Sequence, residues 1–469
     1  MCDPFTFDSQ QACLGGLVNP RKETLHMKKS MKLGAIALTS ALALSVVVAG
    51  TPSATAATCK KKTEVTMLGT IKPEIQDQFL AAVKDYNASQ TCYTLESIPG
   101  DRKLTFLQNV TPMYAAKNAP TIMYTLQEIP DMADKVMDWK GSKLAKLVAP
   151  SLLEAATVGG KLVGVPSTAE AFGLLYNKKV LDKLNIDPTK ITTRQSLEVA
   201  LRKAKKAGNG GVRFSSIWWS LGAHFSNIYF ANSAPTHEGR LAVLDGLADG
   251  TKDLAKDPVF QDYLATFNLL NKYNQAKPNT TDTEYSLALA DLASGKAAFW
   301  FMGNWAEPDL IKAAAGTDFG VMPLPISNTK SIGNKSISVG VPGYFMIDKE
   351  QSTAAERAGA VDFLEWLYTT PAGQKRIAGP VQDGGMNFIP VYKGFTVSPK
   401  TYMAKEIAKY VNADNTLEWI NTYYPAGGQD LYGASGQKLM AGKINGAQYA
   451  AELEKAWKGS VKTWRGVKK

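Results

Sequence analysis

An α/β chain folded into two lobes is the architecture this sequence predicts, and three observations predict it. Strand-like and helix-like segments alternate through most of the chain. The length that follows the targeting region is more than one core usually organises. No long low-complexity linker separates the halves, so the chain is expected to cross between lobes more than once. Each lobe should hold a mostly parallel sheet covered by helices on both faces.

The opening residues come first because they stand outside the fold. Lys28, Lys29 and Lys32 precede an apolar run from Leu33 to Ala49, followed by small polar residues from Thr51 to Ala57. A basic, then apolar, then small-residue order with Ala54, Thr55 and Ala56 at its exit is the pattern of a secretory signal peptide, assigned to 27–56. An N-terminal membrane anchor is the alternative. Residues 1–26 read as neither targeting sequence nor core and are set aside as a non-native leader, with the natural start at Met27 or Met31. Cleavage after Ala56 removes 56 of the 469 residues and leaves 413. Of 53 basic and 42 acidic residues, five and three lie before Ala57, so 48 and 39 remain, a formal charge of +9. The basic residues are scattered, as at Lys203, Lys205 and Lys206, whereas nucleic-acid binding needs a concentrated basic footprint. No nucleic-acid partner is expected.

Cys2 and Cys13 fall in the leader, which leaves Cys59 and Cys92 for an oxidising compartment. Each stands at the start of a strand-like run, Val65–Leu68 and Tyr93–Ile98. If those strands run side by side in parallel, the two thiols are close enough to bridge. Lipid attachment at Cys59 is the weaker alternative, because Thr58 and Ala56 stand where that signal takes a small residue and a leucine.

Between those strands Ile75, Phe79, Ala82, Val83 and Tyr86 recur at helical spacing. A helix-like stretch from Leu104 to Lys117 and a third strand, Thr121–Tyr124, follow. Gly164 and Pro166 interrupt the pattern, and the alternation resumes with the apolar run Phe172–Tyr176. The glycines of Gly208–Val212 follow a basic helix and read as its stop; a dinucleotide loop would follow a strand and open a helix. In the C-terminal third, Ala360, Phe363, Leu364 and Leu367 form a helical face after Glu356, with Pro371 opening the next turn. The segment 442–464 reads as a last helix with Tyr449, Leu453 and Trp457 on one side.

Much chemistry is excluded. Of three histidines, His26 lies in the leader, and His224 and His237 stand alone in the sequence. Neither a histidine–cysteine metal cluster nor a histidine-based triad can be built from them, and no cofactor is expected. Aromatic residues, by contrast, gather at Trp218–Trp219, Trp300–Trp305 and Tyr423–Tyr424. Flat rings beside carboxylates and amides suit a sugar, whose C–H faces are apolar and whose rim is polar. Ordinary core packing is the competing reading for any one of these rings.

Two segments decide between those readings. Gly160 to Ile186, GKLVGVPSTAEAFGLLYNKKVLDKLNI, resembles the crossover segment of extracellular sugar-binding proteins of ABC importers, the family that includes maltose-binding protein. Asp291 to Ala306, DLASGKAAFWFMGNWA, resembles the family's second signature, a helix ending in Gly-Lys-x-Ala, a strand, then Gly-x-Trp. Gly320–Ile326 and Ala354–Ala378 follow in the family's order. The resemblance implies a periplasmic-binding-protein-like fold with hinge crossovers, ligand held between the lobes, and no catalysis. It implies lobes made of 60–168 with 301–340 and of 169–300 with 341–464. By position it implies a carboxylate ligand at Glu170, a stacking ring at Trp305 and an aromatic platform at Trp218 and Trp219. Gln127 falls where maltose-binding protein has an acidic ligand, and Glu128 where it has an arginine, which argues against maltodextrin. Gly69 and Thr70 are expected to border the cleft, and Gly340, Gly343 and Tyr344 to bring a crossing segment near ligand. The implied protein is a secreted monomer at the extracellular face of the membrane or in the periplasm. Its partners would be a mono- or oligosaccharide and the importer's transmembrane subunits. A receptor for a polyamine or peptide, and a secreted glycoside-active enzyme, are the other readings.

Overall fold

The computed structural model describes residues 59–459 apart from 60, 70, 102–103, 278–283, 330, 332 and 426. The expected leader and signal segment, and Thr70, lie outside the described residues. Among the described residues thirteen strands appear in order: β1 (Thr63–Gly69), β2 (Tyr93–Pro99), β3 (Ile122–Thr125), β4 (Thr157–Val158), β5 (Lys161–Leu162), β6 (Val165–Pro166) and β7 (Glu170–Asn177). There follow β8 (Gly210–Arg213), β9 (Ala297–Gly303), β10 (Phe319–Met322), β11 (Ile337–Gly340), β12 (Tyr344–Ile347) and β13 (Thr416–Leu417).

Two sheets carry two lobes. The first has the order β2-β1-β3-β12-β6, and the second β13-β11-β7-β9-β8, with β10 pairing to β7 beyond β11. The strand directions are mixed. β1 runs parallel to β2 and β3, and β8 to β9, but β7 is antiparallel to β9, β10 and β11. All eight residues of β7 are buried, as a central strand covered on both faces requires.

The chain passes between the sheets at three places. It leaves β6 for β7 through Ser167–Ala169, returns from β11 to β12 through Val341–Gly343, and leaves the first lobe again after the helix Pro371–Ala378. The expected boundaries need correction here. Segment 301–340 supplies the end of β9, β10 and β11 to the second sheet, whereas Tyr344–Ile347 lies between β3 and β6 in the first. The helix Ala354–Thr369 then packs on β1. Short apolar strands such as ISVG and YFMI look alike in sequence; what separates them is the Val341–Gly343 crossing that lies between.

The helices form where the apolar spacing placed them. Gln76–Ser89 buries Phe79, Ala82, Val83 and Tyr86, and the Tyr86 hydroxyl donates to Asp362 Oδ1 at 2.7 Å. The helix Ala354–Thr369 opens with a capping box between Thr353 and Glu356, and buries Ala360, Phe363, Leu364 and Leu367 against the first sheet. Thr193 caps Arg194–Lys206, which ends before Gly208 in the left-handed region, φ +81°; glycine adopts that φ without a Cβ clash. Tyr449, Leu453 and Trp457 of Gly446–Gly459 are buried, as their spacing foretold. Among the described residues no helix is long and apolar enough to cross a membrane.

Cys59 and Cys92 form a disulfide with their Cα atoms 5.0 Å apart. The parallel pairing of Thr63 with Tyr93 brings the two strand starts together. The bridge closes a span of 33 residues, which corresponds to roughly 3.5 kcal/mol of lost freedom in the unfolded chain. Unfolding of a Cys59→Ser, Cys92→Ser variant in urea should show a loss of that size. An unchanged midpoint would contradict a stabilising bridge.

Candidate ligand site between the lobes

Glu170 opens β7 at the first crossing, and its side chain is only 1 % exposed. Burial pushes its carboxyl above the ordinary carboxylate range, and Lys72 opposes that shift. Lys72 follows β1 in the first lobe; its ammonium donates to Glu170 Oε2 and lies 4.3 Å from the ring centroid of Trp305. One first-lobe cation therefore rests on a carboxylate and a ring that the second sheet supplies, an arrangement with both ion-pair and cation–π attraction.

Trp305 sits in the turn Asn304–Ala306 that ends β9. The Asn304 side chain fixes that turn by accepting from the Ala171 N–H at 2.8 Å. Gly303 must be glycine, because a methyl there would overlap the Trp305 ring. Around Trp305 lies an aromatic cage. The His224 ring stands 4.7 Å from Trp305, 4.8 Å from Phe172, 5.5 Å from Trp219 and 5.9 Å from Trp419, centroid to centroid. Trp219 precedes, and His224 lies within, a π-helical turn, Ser220–Phe225, a widened geometry common at functional sites. Burial, and secondarily Lys72, holds the imidazole well below its ordinary pKa, so it is neutral at pH 7.

The cage contains polar atoms that find no partner among the described residues. His224 Nδ1 and Trp419 Nε1 are buried without hydrogen-bond partners, and so is Asn421 Oδ1 in the turn that follows Trp419. Buried polar groups are nearly always satisfied, so three such atoms in adjoining residues mark a place for a hydrogen-bonding partner. A cavity of about 50 Å³ opens beside Lys72 and Glu170 and runs under Tyr124 and Phe345.

The expected residues divide into two groups. Glu170 and Trp305 meet through Lys72, and the Trp219 ring stands 6.4 Å from that of Trp305, centroid to centroid. Trp218 is 38 % exposed and stands outside the ring contacts of the cage. Gln127 is buried and ties the lobes directly: its amide donates to the Asn421 carbonyl at 3.1 Å and to Gln429 Oε1 at 3.3 Å. Gly340 and Gly343 receive rings against their backbones, Trp419 and Tyr124 respectively. The Tyr344 hydroxyl donates to the Leu152 carbonyl at 2.9 Å, which commits that side chain to the first lobe. Gly69 ends β1 three residues before Lys72. Lys72, His224, Trp419 and Asn421 were not anticipated. Among the described residues no cluster of three or more histidine, cysteine or acidic side chains could hold a metal.

Two α/β lobes joined by three crossings bring charged and aromatic groups together between them. Residues 104–374, more than half of the chain, match the family described as bacterial extracellular solute-binding protein, and the chain belongs to that family. It is 27 % identical over 248 residues, 51 % of this chain and 57 % of the relative, to a Mesorhizobium japonicum protein described as "Probable sugar-binding periplasmic protein". It is 22 % identical over 309 residues, 64 % of this chain and 66 % of the relative, to the melibiose/raffinose/stachyose-binding protein MelE of Bacillus subtilis. The chain thus spans from about half to about two thirds of the length of the curated relatives it matches. In fold it resembles the solute-binding protein RafE in complex with raffinose, with a TM-score of 0.71 at 15 % identity, covering 85 % of this chain and all of that one. A chitin oligosaccharide binding protein gives 0.67 at 19 % identity, covering 85 % and 99 %.

Proposed function

We propose that this protein captures a mono- or oligosaccharide between its lobes, without catalysis, and presents it to the membrane subunits of an ABC importer. The observation that carries this reading is the convergence of Glu170, Trp305, Trp219, His224 and Trp419 with buried polar atoms that await partners. Rings offer C–H stacking faces, and His224 Nδ1, Trp419 Nε1 and Asn421 Oδ1 offer hydrogen bonds to hydroxyls. A ring covering about 100 Å² of sugar face contributes roughly 2.5 kcal/mol. Three rings and a few charge-assisted hydrogen bonds reach the roughly 8 kcal/mol of micromolar affinity. The names of the relatives above support the same class. Export by the segment 27–56 would place the protein where such a ligand arrives, and it would act as a monomer.

Tryptophan fluorescence tests the reading directly, because Trp219, Trp305 and Trp419 all border the site. Titration with raffinose, stachyose, diacetylchitobiose and maltotriose should give a saturable change for at least one sugar. A chromogenic glycoside should not be turned over. Response to spermidine or a peptide but to no sugar would overturn the substrate class.

A further inference from the structure

The solute-binding family and the sugar reading leave one group in the site unexplained, the ammonium of Lys72. Its side chain is 31 % exposed and that of Glu170 1 %, so an entering ligand meets the lysine before the carboxylate. From this ordering we infer that Lys72 is the residue that sets charge selectivity: paired with Glu170, it makes the site neutral and bars cationic ligands from the carboxylate and the Trp305 face.

A buried carboxylate beside an electron-rich ring is a site for an ammonium group, and the protein's own ammonium occupies it. A ligand bearing an amine has nothing to gain there except by expelling Lys72, and until it does so it faces a like charge. A neutral sugar has no reason to expel Lys72, because that would leave Glu170 buried without a counter-ion, a costly state. Lys72 therefore stays in place and serves the neutral ligand with the N–H donors that Glu170 does not use. The nearby titratable groups are Glu74, whose carboxyl burial pushes above the ordinary range while Lys72 opposes that shift, and His224, whose imidazole burial holds well below its own.

This inference rests on the sugar reading and sharpens it to uncharged sugars, with amino sugars excluded by a single side chain. The test compares the neutral panel sugar that binds best with chitobiose, which carries free amines, and with digalacturonate, which carries carboxylates. The wild-type protein should bind the neutral sugar at least tenfold more tightly than either. Lys72→Met should raise affinity for chitobiose relative to the neutral sugar by tenfold or more. Glu170→Gln, which leaves the ammonium alone, should shift preference towards digalacturonate by a similar factor. Lys72→Met with Glu170→Gln leaves no lone buried charge and should restore the neutral preference, so the inference stays testable if one single variant does not fold. Wild-type protein that binds no panel sugar would overturn the sugar reading and this inference with it. Wild-type protein that binds a neutral sugar, with selectivity unmoved in every single variant that folds, would overturn the inference alone.

Discussion

Trp305→Ala is expected to bind its sugar ten- to a hundredfold more weakly than the wild type, a loss of about 1.4–2.8 kcal/mol. Two independent features lead there. The ring is 1 % exposed, and it is the element that joins the Lys72–Glu170 pair to the aromatic cage, through Lys72 on one side and His224 on the other. Removing it deletes a stacking face and leaves Lys72 with a weaker hold on its position. The same substitution also opens a core, and such deletions cost roughly 3–5 kcal/mol of stability. Affinity must therefore be measured on protein shown to be folded, by circular dichroism and a cooperative melt. Trp305→Phe separates the two effects: it refills much of the apolar volume and should recover most of the stability, but offers a smaller stacking face. A folded Trp305→Ala protein with unchanged sugar affinity would remove Trp305 from the site.

How much of this could be read from sequence differs from residue to residue, for physical reasons. Glu170 and Trp305 were legible because each is embedded in a local pattern, the strand after Pro166 and the turn after β9. The disulfide was legible because two parallel strand starts need only adjacent strands. Lys72 was not, since one lysine among many gains meaning only from a partner 98 residues away. His224 was set aside because it stands alone in the sequence, yet its neighbours in space come from positions 172, 219, 305 and 419. Trp419 lies four residues before the Tyr423–Tyr424 pair but was not grouped with it, because spacing along a chain does not say which rings face one another. The lobe boundaries failed at β10 to β12 for a related reason: a period-two apolar run declares a strand but is silent about which sheet it joins. Gln127 shows the opposite limit. Its position along the chain was compatible with ligand contact, and what the fold reveals is that its amide already links the two lobes.

A further large effect is expected at Glu307, which lies two residues beyond Trp305 and is 3 % exposed. It opens the helix Glu307–Ala313 and accepts a hydrogen bond at 2.6 Å from Asn387, in the segment that makes the third crossing. Burial pushes its carboxyl up to about 8, with hydrogen bonds from Thr401 and Asn387 holding the shift back and Asp318 adding to it. A carboxyl whose folded pKa is raised contributes stability that is fully present below its ordinary value near 4.5 and is lost as pH rises through about 8. At about 1.36 kcal/mol for each tenfold change, that window corresponds to roughly 5 kcal/mol. This is an upper limit, because water and side-chain relaxation partly solvate a buried charge. Glu307→Gln keeps an acceptor for Asn387 and cannot ionise. The variant should therefore match the wild type in urea unfolding at pH 5 and exceed it by several kcal/mol at pH 8.5. Because Asn387 belongs to a crossing, the same ionisation should loosen the hinge, and sugar affinity of the wild type should fall over that pH range while the variant's stays level. Parallel stability curves for the two proteins from pH 5 to 8.5 would show that Glu307 carries no such linkage.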